Sequence, residues 1–127
     1  MSYSKEVFNL ARVFLENIRN NNIIEYEKRR KQFYLKSSEG AKIEGEIARN
    51  AVVVAKAVIS GKEVKSQLIA LKSNNLKLRK KLSVILQELN LPDNYLDLKY
   101  NCEKCLDTGY TNGRMCSCFK KILKNEA

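Results

Sequence analysis

Apolar side chains recur every three or four positions along most of this chain, and the clearest run is Val64, Leu68, Leu71, Asn75, Leu78, Leu82, Ile85 and Leu89. Alternating steps of four and three place all eight on one seam of an α-helix. Asn75 interrupts the seam. A polar residue there costs some stability but fixes the register of whatever packs against it. At 1.5 Å per residue the helix would be about 40 Å long.

The upstream pattern predicts three more helices. The first covers about residues 4–20, with Val7, Leu10, Phe14 and Ile18 in steps of three and four and Phe8, Ala11 and Leu15 beside them. So wide a stripe suits a helix packed on more than one neighbour. Asn20-Asn21-Asn22 reads as a break. A second helix follows over about residues 23–36, with Tyr26, Arg30, Phe33 and Tyr34 on one side and a charge run from Glu27 to Lys31. Ser37-Ser38-Glu39-Gly40 can cap a third helix, because a serine oxygen accepts from the unpaired N–H groups of a first turn. That helix reaches about Ser60 on a stripe of Ile47, Ala51, Val54 and Val58. Gly61 ends it, since glycine takes the left-handed conformation without strain. So short a connection predicts that the third and fourth helices fold back antiparallel on one another. A coiled-coil dimer through the same seam is the alternative. After Leu91 the period stops. Leu91-Pro92-Asp93-Asn94-Tyr95-Leu96 reads as a turn, and Tyr95, Leu96, Leu98 and Tyr100 are expected to staple the next segment to the helices.

That segment holds every cysteine of the chain: Cys102-Glu103-Lys104-Cys105, ten residues, then Cys116-Ser117-Cys118. A pair separated by two residues can bring both sulfurs to one ion. Asn112-Gly113 favours a type I′ hairpin turn. The strand returning from it delivers Cys116 and Cys118 two apart, and therefore on one face. The chain has no histidine, so a metal site here is all-thiolate, and tetrahedral zinc is the expected occupant. Two disulfides and an iron–sulfur cluster are the weaker alternatives. Lys104, Arg114, Lys120 and Lys121 would offset the charge of the thiolates. The expected fold is mainly α: a helical bundle with a long antiparallel hairpin over residues 1–97, then a small zinc-binding β-hairpin module over 98–127.

The formal net charge is +10, or about +8 once four thiolates hold a divalent ion. A basic surface suits an acidic partner such as nucleic acid, although interleaved lysine and glutamate also simply keep helices in solution. There is no apolar run long enough to span a membrane. The residues after Met1 lack the build of a secretory signal, so a cytoplasmic location is expected, where thiols stay reduced. A site with four thiolates has no open position for a reactive water and is structural. Without histidine, and with no G-x-x-x-x-G-K-[ST] or G-x-G-x-x-G motif, no catalysis, small-molecule substrate or nucleotide hydrolysis is expected of this chain.

Tyr100-x-Cys102-x-x-Cys105-x-Asp107-Thr108-Gly109-Tyr110, followed by Gly113-x-x-Cys116-x-Cys118, resembles the segment closing the amino-terminal domain of bacterial replicative helicase loaders of the DnaC/DnaI type. The basic aromatic helix, the Ser60-Gly61 turn and the leucine-rich helix running into Leu91–Leu96 are similar too, so the resemblance spans about residues 20–120. It implies structural zinc on Cys102, Cys105, Cys116 and Cys118. It also implies a cytoplasmic DNA-replication adaptor, part of a primosome, that docks on the hexameric replicative helicase to recruit and load it. In that family an AAA+ ATPase domain, which handles ATP and single-stranded DNA, follows this one. It is absent from this chain, so an excised domain or a naturally short relative is expected. Partner-contact candidates are Phe14, Tyr26, Arg30 and Phe33, aromatic and arginine side chains of the kind that anchor interfaces. The alternative function is a zinc-containing nucleic-acid-binding module using the hairpin with Lys77, Arg79, Lys80, Lys81, Lys120 and Lys121. A thiol redox switch at Cys102 and Cys105 lacks the βαβ setting such pairs have.

Overall fold

A computed structural model describes residues 3–61 and 65–127. Among these residues the elements are α1 (Lys5–Lys36), α2 (Ser38–Ser60), α3 (Lys65–Glu88), β1 (Tyr110–Thr111), β2 (Arg114–Met115) and α4 (Ser117–Glu126). The mainly helical architecture with one small antiparallel hairpin is as expected. No helix among them is long and apolar enough to cross a membrane.

The chain divides into two compact units, one of residues 1–28 with 97–127 and one of residues 29–96. This division differs from a boundary at 97–98, because the first part of α1 belongs with the cysteine segment. α1 passes from one unit into the other without a break, so the interruption expected at Asn20-Asn21-Asn22 does not occur. Each asparagine costs a helix well under about 1 kcal/mol relative to alanine, and no proline or glycine is present to stop it. Asn22 is moreover held by its side chain, which donates to Asn101 Oδ1 and to Asp107 Oδ2, each at 3.1 Å.

In the first unit, Ala11 and Leu15 of α1 and Phe119 and Leu123 of α4 form the buried cluster, with Val7, Phe8, Ile18, Met115 and Ile122 packed around it. Leu10 and Phe14 fall off this face and are half exposed. The cluster fastens the cysteine module to α1; of Tyr95, Leu96, Leu98 and Tyr100, expected in that role, Leu98 and Tyr100 line a cavity with Arg19, Asn22 and Ile23 of α1, and Leu96 falls in the other unit. Tyr95 lies there as well, its carbonyl accepting from Arg29 Nε at 2.9 Å.

In the second unit a single residue, Ser37, separates α1 from α2. It is extended (φ −146°), and its Oγ accepts the Gly40 N–H at 2.9 Å. Phe33 is fully buried against Gly40, where a Cβ would lie 2.6 Å from Phe33 Cε2. Arg30 donates to Tyr34 Oη and Glu44 Oε1, and Tyr34 Oη also donates to Glu44, so α1 is tied to α2 by a three-member network. Burial works against the Arg30 charge, but its bonds to Tyr34 and Glu44 outweigh that and hold the guanidinium above its ordinary pKa.

Gly61 closes α2 at φ 67°, and its N–H returns to Val58 O. α2 and α3 then pack together. Of the seam read from the sequence, Leu78 is buried and Leu68, Leu71, Asn75, Leu82, Ile85 and Leu89 are half-buried, while Val64 lies outside the described residues. The inward stripe of α2 is Gly40, Ile43, Ile47, Asn50, Val54 and Ala57, all buried or half-buried. Ala51 and Val58, expected in that stripe, are exposed. The stripe passes through the polar Asn50, whose Nδ2 donates to Asn75 Oδ1 at 2.8 Å.

Candidate metal centre

The cysteine module is built from tight backbone turns. Leu106 and Asp107 both take positive φ (55° and 62°), and Gly109 follows at 90°. Such values are uncommon for side chains other than glycine, and persist only where surrounding bonds impose them. Gly109 is required twice over, since a Cβ there would also stand 2.9 Å from Leu15 Cδ2. The Asn112-Gly113 turn has positive φ at both positions (51° and 75°), the type I′ geometry expected of this pair. β1 and β2 then pair antiparallel, Tyr110 with Met115 and Thr111 with Arg114. The Cys116 N–H donates to Gly109 O at 2.7 Å, fixing where the second cysteine pair begins.

These turns bring the four expected sulfurs together within 4.8 Å of one another. Cys102 Sγ lies 3.7 Å from Cys116 Sγ, and Cys105 Sγ lies 3.4 Å from Cys118 Sγ. All four thiols are free. Four sulfurs about 2.3 Å from one tetrahedral ion stand about 3.8 Å apart, so the cluster fits a single metal ion with little movement. A four-iron cluster holds each cysteine on a separate iron and spreads the sulfurs wider.

Cys116 is the residue that opens α4. Its thiol is drawn down to about 7, first by the backbone N–H of Cys118 and then, against the effect of burial, by the other sulfurs. Cys118 is pushed up, by burial first and then by the same neighbours, Cys105 leading. Four crowded thiols cannot ionise together unaided, because each thiolate raises the cost of the next. A bound cation removes that conflict, and its binding releases the protons.

Behind the sulfurs lies a support that the sequence pattern did not reveal. Asp107 is the one buried acidic side chain among the described residues, 1% exposed. Its Oδ1 accepts the Cys102 N–H at 2.8 Å, and its Oδ2 accepts the Asn101 N–H at 2.9 Å as well as Asn22 Nδ2. From α1, Arg19 Nη1 donates to the Asp107 carbonyl at 2.7 Å. Asp107, Asn22 and Arg19 therefore set the entry angle of the first cysteine pair, as outer groups do for metal ligands generally. A signal existed: Ala11, Leu15, Ile18 and Asn22 continue one stripe in steps of four, three and four. Reading Asn20–Asn22 as a helix break hid it.

The four partner-contact candidates are divided between the units. Phe14, 48% exposed, and the half-buried Tyr26 belong to the first. Arg30 and Phe33 belong to the second, Arg30 held in its network and Phe33 wholly enclosed. Phe33 is thus a packing residue that a partner could reach only by opening the unit. Lys104, Arg114, Lys120 and Lys121 are exposed on the cysteine module.

Comparison with protein-family models, with curated proteins and with solved structures finds no match to this chain.

Proposed function

We propose that this chain is a helicase-binding adaptor domain of the DnaC/DnaI loader type and that its four cysteines hold a structural Zn²⁺. The closure of Cys102, Cys105, Cys116 and Cys118 on one point carries the reading. The four flank the Asp107-Thr108-Gly109 segment, which with them carries the resemblance. Zinc suits four thiolates at tetrahedral spacing and leaves no coordination position for chemistry, so the metal's work is to hold the module. Binding then falls to helical surface, and Leu10 and Phe14 supply exposed apolar side chains on a helix that the module fixes in place.

Co-purification with the cognate hexameric replicative helicase, with metal analysis of the same sample, tests both parts. The expected result is retention of the chain on the hexamer with about one zinc per chain. Phe14→Glu should weaken retention while helicity and zinc content stay unchanged. A folded, zinc-loaded chain that the helicase does not retain overturns the adaptor reading. Protein purified under reducing conditions without metal overturns the zinc assignment.

A further inference from the structure

The charge of this chain is divided unequally. Residues 1–28 with 97–127 hold ten basic and eight acidic residues, a balance of +2, whereas residues 29–96 hold fourteen and six, a balance of +8. Four thiolates on a divalent ion contribute −2 and bring the metal-bearing unit to neutrality. The excess charge belongs to the helical hairpin, and most of it to α3. That helix carries Lys65, Lys72, Lys77, Arg79, Lys80 and Lys81, and its one acidic residue is Glu88 at its end. All six cations are exposed, and among the described residues none of them makes an ion pair or a side-chain hydrogen bond. The seam from Leu68 to Ile85 faces α2, so the cations occupy the remaining circumference over about 24 Å of helix.

We infer that the outer face of α3 binds the phosphate backbone of a nucleic acid, without reading its sequence. An acidic partner helix would meet one stripe, with its carboxylates in register with cations at helical spacing. The α3 cations do not form one stripe: Lys72 and Arg79 lie on one flank, Lys77 and Lys81 on the other, and Lys80 between them. A phosphate backbone presents charge at short, even intervals and is met from several azimuths at once. Five of the six are lysine, a hydrated point charge suited to phosphate contact rather than to bidentate base recognition. α3 has no aromatic residue on which a base could stack. The site is also distinct from the cysteine hairpin, whose local charge the metal complex cancels.

The test is fluorescence anisotropy of the full metal-loaded chain with a labelled duplex of about 20 base pairs, and with one of its strands alone, at about 50 and about 200 mM salt. Four neutralised phosphates predict a loss of affinity of about 150-fold between the two conditions for the duplex and about 50-fold for the strand. The triple variant Lys77→Gln, Lys80→Gln and Lys81→Gln changes exposed positions only. It should flatten the salt dependence and weaken binding at least about tenfold, with circular dichroism unchanged. Lys120→Gln with Lys121→Gln should change affinity less than about threefold. Affinity indifferent to salt overturns the assignment. So does a folded triple variant that binds as well as the parent, or displacement of the duplex by polyglutamate at equal charge. None of these readouts involves the helicase, so failure here leaves the adaptor reading untouched and the converse also holds.

Discussion

The cysteine-bearing unit gathers its buried residues in few places. Ala11, Leu15, Phe119 and Leu123 form one buried cluster, Cys105 and Cys116 are buried in the cysteine module, and Asp107 ties that module to Arg19 and Asn22 of α1. In the hairpin unit burial is strung out: Phe33 and Ile43 near its corner, Leu78 and Leu86 along α3, and half-buried side chains between. Neither core is large, and small cores need help. The first unit would obtain it from an ion held where its four sulfurs converge. The second obtains it from a repeated register in which each turn adds a little. A point-like device fails all at once when one member is lost. A distributed one should lose stability in increments, and that contrast can be attacked directly.

The largest effect should come from the metal. Chelation, or Cys105→Ser, is expected to unfold residues 98–127 while α2 and α3 persist. Structural zinc sites contribute about 10 kcal/mol of apparent binding energy that doubles as folding energy, far more than so small a cluster supplies alone. Acid should act as a chelator does, since the ligands must be deprotonated to bind. Amide exchange read by peptide is the measurement: peptides from 98–127 should lose protection and those from 43–58 and 68–86 should keep it. Loss of protection everywhere would show that the two units fold as one and end the comparison.

A smaller and local loss is expected from Gly40→Ala in the hairpin unit. The added methyl meets the Phe33 ring and Ser37 Oγ, and overpacking of this kind costs about 1–3 kcal/mol. Urea unfolding should show the shift, with metal affinity unaltered. An unshifted midpoint would mean that Phe33 can turn aside and that this corner is less closely packed than its burial indicates.

Legibility differed between the units for the same reason. The α3 seam could be read because every seven residues repeat the same statement, and the ligand set because cysteines so spaced have few other uses. The α2 stripe is displaced by one position because the apolar Ala51 follows the polar Asn50 that belongs in it, and the larger Val58 follows Ala57. The support of the first cysteine pair left only a faint local trace, the continuation of the Ala11, Leu15 and Ile18 stripe to Asn22. Asp107 reaches Asn22 across eighty-five positions, and three successive asparagines look like a turn unless their partners are known. Polar residues that do structural work through a distant mate leave no apolar period behind.

Asn50 and Asn75 offer the finest test, because they are that kind of pair within the otherwise periodic unit. Asn75→Leu alone leaves a half-buried Asn50 amide without its acceptor and should cost about 1 kcal/mol. Asn50→Leu with Asn75→Leu restores an apolar seam and should recover that loss or exceed the parent's stability in urea. The asparagine pair contributes uniqueness rather than strength, since amide meets amide only in one alignment of α2 on α3. The double variant should therefore pay in specificity, forming oligomers whose population rises with concentration in light scattering. Were it less stable than either single variant and still monomeric, the pair would be stabilising the hairpin outright, and distributed apolar register would not be what holds this unit.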